Sequence, residues 1–183
     1  MNASITIRTA TKEDAERIAL CLESAFEPFR SQYTPEAFRD TVPDAAAIRE
    51  RMASMTIYIA VLGDGEDGEI VGTIASSAQG EEGHLRGMAV RPAWQGLSVA
   101  ERLLRQAVSD LSDAGCLCVT LDTTAPLRRA IRFYERNGFV LSGRITDFFG
   151  MPLYELVKSM IPSKLAQTHS TMHKITPTQG TIN

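Results

Sequence analysis

Between residues 90 and 97 the hydrophobic period of this chain switches from that of a strand to that of a helix. Upstream, Thr56–Leu62 is rich in β-branched and aromatic residues. The turn cluster Gly63-Asp64-Gly65-Glu66-Asp67-Gly68 follows, and Ile70–Ser77 and His84–Val90 read as two further strands, which together suggest an antiparallel meander. Downstream, Leu97, Ala100, Leu103, Leu104, Ala107, Val108 and Leu111 stripe one face of a long helix that ends near Gly115. Strands that lead into a long amphipathic helix place the chain in the mixed α/β class.

The flanks complete the pattern. Ser4–Arg8 alternates as a first strand, and Thr11 with Asp14 three residues on reads as a helix start. Ala15, Ile18, Ala19, Leu22 and Phe26 carry that helix, which Pro28 ends, and Glu36–Thr41 and Asp44–Met55 hold short helical patterns. After the long helix, Leu117–Leu121 is a strand. A helix striped by Leu127, Ala130, Ile131 and Tyr134 stops at Asn137-Gly138, and Phe139–Ser142 and Pro152–Lys158 are the last two strands. The expected order is β-α-α-β-β-β-α-β-α-β-β, one domain over residues 1–158. Residues 159–183, with eight Ser or Thr among 25, are expected to form a flexible tail.

Charge narrows the function classes. The net charge is −3, and because the tail carries two lysines and no acid, residues 1–158 carry −5. A body of that sign lacks the basic footprint of a nucleic-acid binder. No apolar run approaches the roughly 18–20 residues of a membrane span, and the N-terminus has no signal-peptide pattern, so a cytoplasmic protein is expected. The odd count of cysteines (Cys21, Cys116, Cys118) fits a reducing compartment. Cys116 and Cys118 read as small core residues, and His84, His169 and His173 show no metal-site spacing. No metal is expected.

The segment Met88–Ala100 carries the first chemical signal. A strand runs through a proline turn into a helix opened by small residues, Gly96, Ser98 and Ala100. Helix N-termini present unpaired N–H groups and positive dipole character, and small side chains let a phosphate approach them. An ordinary tight strand-to-helix turn has the same composition.

These residues resemble the signature of the GCN5-related N-acetyltransferase (GNAT) family, Gln/Arg-x-x-Gly-x-Gly/Ala after a strand ending hydrophobic-x-Val-x-Pro. Here the strand reads Met88-Ala89-Val90-Arg91-Pro92, and the motif Gln95-Gly96-Leu97-Ser98-Val99-Ala100 has Ser98 where the family usually has Gly. A second block, Leu127-x-x-Ala130-x-x-Phe133-Tyr134-x-x-x-Gly138-Phe139, matches a further family pattern with Leu127 at its Asn position. The resemblance covers residues 4–158 and implies a GNAT-like domain, a central mostly antiparallel sheet with helices on both faces.

It also implies an acyl-CoA site. Backbone atoms of Met88, Ala89 and Val90 would pair with the pantetheine arm, and the amides of Gln95, Gly96, Leu97, Ser98, Val99 and Ala100 would hold the pyrophosphate. Tyr134 matches the family's usual general acid, and a phenol can donate to a departing thiolate at neutral pH. Taken by itself, Tyr134 also fits a core position. Glu81, Glu82 and His84 are the candidate general bases, with a water relay as the alternative. A covalent route through Cys116 or Cys118 lacks a matched base.

The resemblance further implies that the acceptor lies against Phe26–Tyr33 and Ile145–Tyr154, a region made aromatic by Phe26, Phe29, Tyr33, Phe148, Phe149 and Tyr154, with Glu23, Glu27 and Asp147 as cation partners and Arg30 as a carboxylate partner. The expected activity is transfer of acetyl from acetyl-CoA to a primary amine by direct attack in a ternary complex. The alternatives are a non-catalytic acyl-CoA-binding or regulatory protein and an unrelated nucleotide-binding module. A homodimer is compatible with the sequence.

Overall fold

The computed structural model describes residues 4–63 and 68–161. Seven strands, β1 (Ile5–Thr9), β2 (Thr56–Leu62), β3 (Glu69–Gln79), β4 (Glu82–Val90), β5 (Cys118–Thr124), β6 (Val140–Phe148) and β7 (Met151–Ser159), form one sheet in the order β1-β2-β3-β4-β5-β7-β6. Every neighbouring pair is antiparallel except β4–β5. The helices are α1 (Ala15–Phe26), α2 (Pro35–Thr41), α3 (Ala45–Arg51), α4 (Val99–Asp113) and α5 (Arg128–Arg136).

Two cores flank the sheet. Ile18, Leu22, Phe38 and Ile48 of α1–α3 pack on one face against Ile57, Ile59 and Ala75. On the other face Leu103, Leu104 and Leu111 of α4 and Tyr134 of α5 pack against Ile74, Leu85 and Leu121. Ile57 through Val61 of β2 are all buried because both faces of that strand are covered, which explains its continuous apolar run. The parallel β4–β5 pair follows from α4, whose crossover returns the chain to the same end of the sheet. Gly72 allows α4 to sit close: a Cβ there would stand 2.9 Å from Leu103 Cδ1 and 3.2 Å from Ala89 O.

The expected element order is found, with its second helical stretch divided into α2 and α3. Thr34 Oγ1 accepts from Ala37 N–H and Asp44 Oδ1 from Ala47 N–H, so each short helix has its own cap. α1 ends at Phe26, just before Pro28 as expected, but the chain continues in a 3-10 turn that includes the proline. Pro28 sits in the first turn of that segment, Glu27–Gln32, where its missing N–H costs nothing. Leu97 lies outside α4 and is exposed, so the apolar stripe begins at Val99. β6 runs well beyond Ser142, with an irregularity between Leu141 and Ile145. As an edge strand with exposed side chains it lacks the alternation that marks a half-buried strand. Of the expected tail, Ser159 closes β7 and Met160 N–H donates to Leu117 O at 2.8 Å; residues 162–183 lie outside the described residues.

The start of α1 is fixed by a buried charge. Asp14 is 1% exposed and its carboxylate accepts from Arg8 at 2.7 Å and 2.9 Å, from Arg17 at 2.5 Å and from the Thr11 amide at 2.9 Å. Burial alone would raise this carboxyl. The bonds from Arg8 and Thr11 and the charges of Arg8 and Arg17 outweigh it and bring the pKa down to about 2. A depressed carboxyl contributes stability above its unfolded value near 3.9 and loses it as pH falls towards 2. We therefore expect about 2 kcal/mol of stability to be lost across that interval. Chemical denaturation of Asp14→Asn should show lower stability at pH 7 and a weaker acid dependence between pH 4 and pH 2.

Candidate active site

The site is created by a parting of strands. Parallel pairing of β4 with β5 covers only Glu82–Leu85 against Cys118–Leu121. At that point β4 bulges: its register against β3 shifts between Thr73 and Ala75, and Gly87 takes φ +63°, a left-handed conformation that a side chain would strain. Beyond the bulge β4 stays paired to β3 and β5 stays paired to β7, so the two strands diverge. Those backbone groups of Met88–Val90 that point towards β5, apart from Val90 O, which accepts from Gln95 Nε2, are thereby left for an extended, amide-bearing ligand. The fork opens into a cavity of about 920 Å³ that both strands line.

One end of the cavity reaches the start of α4. The first intrahelical bond there runs from Arg102 N–H to Ser98 O at 3.1 Å, so the amides of Val99, Ala100 and Glu101 have no partner within the helix. Gly96 has φ +80° and an added Cβ would meet nothing within 4 Å, an open cradle beside those amides. Gln95 Nε2 donates to Val90 O at 3.1 Å and ties the loop to the strand end. Gln95, Gly96 and Ala100 line the cavity, whereas Leu97 and Ser98 are exposed beside it and Val99 is buried in the core.

Ser98 adopts φ 59° and ψ 16°, and its hydroxyl makes no cap to α4. The usual glycine at this position relieves the left-handed strain that serine bears. Ser98→Gly should raise stability by about 0.5–1 kcal/mol, the strain relieved less the added unfolded-state entropy, as read by chemical denaturation.

Tyr134 lies in the wall of the cavity between Phe133 and Phe139, with ring centroids at 5.3 Å and 5.7 Å. Its ring fills the core as the apolar stripe predicted, and its hydroxyl has no hydrogen-bond partner among the described residues. Burial pushes the phenol above its ordinary value, which keeps it protonated and able to donate. Thr123 also lines the cavity, and its buried Oγ1 has no hydrogen-bond partner among the described residues.

The candidate bases lie where the strands part. His84 lines both the large cavity and a smaller polar one of about 140 Å³ that holds Glu82, Thr120, Asp122, Arg144 and Glu155. Thr120 Oγ1 is 3.0 Å from His84 Nδ1 and can donate its single proton to Glu82 Oε1 at 3.2 Å or to Gly83 O at 3.3 Å. In the arrangement where that proton goes to Glu82 or Gly83, the hydroxyl accepts from His84 Nδ1–H and the lone pair falls on Nε2; a proton donated to Nδ1 instead gives the opposite tautomer. Nε2 faces Asp122 Oδ2 at 3.9 Å. Burial raises the Asp122 carboxyl above its ordinary value, and the charge of His84 opposes that shift. Glu82 is set back in the smaller cavity, and Glu81 is exposed at the β3–β4 turn. Sequence reasoning missed Asp122 and Thr120, which sit two apart in β5, a strand that reads as an apolar run only as far as Leu121. Only the pairing of β4 with β5 brings them to His84.

The aromatic acceptor wall is present in part. Phe26, Phe29, Tyr33 and Phe148 line the large cavity, and Thr34 Oγ1 donates to Phe149 O at 2.9 Å, tying the β6–β7 tip to α2. Tyr33 OH is bonded to Thr124 Oγ1 at 2.6 Å. Of the expected charged partners, Glu23 is exposed, and Glu27, Arg30 and Asp147 have local partners. Glu27 pairs with Arg30 at 2.8 Å on the exposed surface, and Asp147 accepts from Gly150 N–H at 3.2 Å to close the hairpin. Burial and the charge of Glu82 both push the Cys118 thiol up, away from a thiolate, and Cys116 is buried in the core.

A strand fork leading to an open helix N-terminus defines a site for an extended ligand with a phosphorylated end. The family model for the acetyltransferase (GNAT) family matches residues 18–139, and the chain belongs to that family. Its fold is similar to that of PaiA N-acetyltransferase from Thermoplasma acidophilum, solved in complex with coenzyme A, with 18% identity, a TM-score of 0.70, and coverage of 85% of this chain and 99% of that one. It also resembles an acetyltransferase of the GNAT family from Staphylococcus aureus Mu50, with 19% identity over 86% of this chain and 100% of that one and a TM-score of 0.69. Ard1 from Thermoplasma volcanium is comparable at 20% identity, 86% and 99% coverage and a TM-score of 0.65.

Proposed function

We propose that this chain transfers acetyl from acetyl-CoA to a primary amine by direct attack in a ternary complex, with His84 as general base and Tyr134 as general acid. The observation that carries this reading is the single cavity that joins the open start of α4, the β4–β5 fork, Tyr134 and His84.

The residues present fit the co-substrate. The free edge of Met88–Val90 offers backbone groups to the pantetheine amides, and the orphan Thr123 hydroxyl offers another donor. The amides of Gln95 to Ala100, with the Gly96 cradle, suit the pyrophosphate. The thioester supplies an activated acyl carbon and a thiolate leaving group.

An ammonium has no free lone pair, so the incoming amine must first be deprotonated. His84 Nε2 takes that proton, and Asp122 stabilises the imidazolium that results. Tyr134 donates to the sulfur as it gains charge, an interaction stronger in the transition state than in the ground state. Attack at the carbonyl forms the C–N bond and the C–S bond breaks; Tyr134 gives its proton to the departing thiolate and regains one from the second proton that the nitrogen sheds as it becomes an amide, so CoA leaves as the free thiol and His84 holds the first proton.

Calorimetry tests the phosphate placement. Ser98→Asp puts a carboxylate among the amides of the α4 start and should raise the dissociation constant of CoA by about tenfold or more. Unchanged affinity would remove the phosphates from that helix. A cytoplasmic location and action as a monomer or homodimer are compatible with this reading.

A further inference from the structure

Arg51, the last residue of α3, is a half-buried guanidinium that lines the large cavity and makes no side-chain hydrogen bond or ion pair among the described residues. The neighbouring charges are committed. Asp40 Oδ2 accepts from Arg86 Nη2 at 2.9 Å, so the cluster of two cations and one anion retains an unmatched positive charge. That charge stands over the fork: Arg51 Nη1 lies 3.5 Å from where a Cβ on Gly87 would be. Burial, with Arg86 beside it and Asp40 opposing, brings the Arg51 pKa down to about 10. An unpaired charge at such a position is costly, and a planar guanidinium matches a carboxylate with two parallel hydrogen bonds.

We propose that Arg51 receives the carboxylate of a bound reactant. This rests on the transferase reading above and adds the substrate class to it. Two reactants can bring a carboxylate to the β4 bulge. The acceptor can carry it, as a free amino acid whose amine reaches His84, three residues before Gly87 on the same strand. The acyl group can carry it instead, as the distal carboxylate of a dicarboxylic acyl-CoA. Phe26, Phe29 and Phe148 line the same cavity and suit an apolar side chain on an amino-acid acceptor.

The test compares the full-length chain with Arg51→Met and Arg51→Lys, after thermal denaturation has shown that each variant folds. Acceptors are leucine and phenylalanine with their amides, each with acetyl-CoA; donors are succinyl-CoA and acetyl-CoA, each with an uncharged-tail amine. If the acceptor brings the carboxylate, the wild type should favour acids over amides in kcat/KM by about 10–100-fold, the scale of a charge-assisted bond. Arg51→Met should bring that ratio to about 1, and Arg51→Lys should restore part of it. If the acyl group brings it, the same collapse appears in the succinyl-to-acetyl ratio instead.

Calorimetry of each acid and amide, and of each acyl-CoA, reads the same contrasts without turnover. Acid-to-amide and succinyl-to-acetyl ratios that Arg51→Met leaves unchanged would overturn the proposal. Failure of any acyl-CoA to bind would instead count against the transferase reading, and the acid–amide contrast would still report on Arg51.

Discussion

Tyr134→Phe should lower kcat by about 10²–10⁴-fold while the dissociation constant of acetyl-CoA barely moves. The substitution keeps the ring between Phe133 and Phe139, so the core on the α4 side of the sheet is preserved and the melting temperature should change little. It removes one oxygen, whose partner on this account is sulfur acquiring negative charge. An interaction that grows along the reaction coordinate appears in kcat and in kcat/KM equally. Steady-state kinetics together with calorimetry separate the outcomes. Unchanged kcat would return Tyr134 to a purely packing role, and lost affinity with unchanged kcat would make it a binding residue.

His84→Ala should be of similar size, about 10²–10⁴-fold in kcat/KM, because it removes the group that accepts the amine's proton. Thr120 and Asp122 flank the ring at 3.0 Å and 3.9 Å, and neither has a ring nitrogen to substitute for it. A small exogenous base such as imidazole should restore part of the rate. A variant that keeps the wild-type rate would shift the role to Glu82 or to water.

Much of this architecture can be read from the chain because its signals are local. The switch of period before Val99, the runs of β2 and β4, and the small residues at Gly96 and Ala100 are each set by neighbours in sequence. The length of β6 is not, since an edge strand exposed on both faces has no apolar face to reveal it. The strain at Ser98 is likewise invisible in composition, because φ is a property of the folded turn. The charged groups of the site depend on pairings across the sheet. Asp122 reaches His84 only through the parallel register of β4 and β5, and Arg51 meets the Gly87 bulge only because α3 packs on that face. Glu27, Arg30 and Asp147 had the right chemistry in sequence but are consumed by short-range partners.

Release of free thiol from acetyl-CoA, followed with a panel of amines varied against acetyl-CoA, bears on the whole account at once. Amine-dependent release with intersecting double-reciprocal lines is expected, since acceptor and acetyl-CoA must occupy the joined cavity together. Parallel lines would require a covalent acyl-enzyme, and tight binding of CoA without amine-dependent thiol release would contradict the assignment as a transferase.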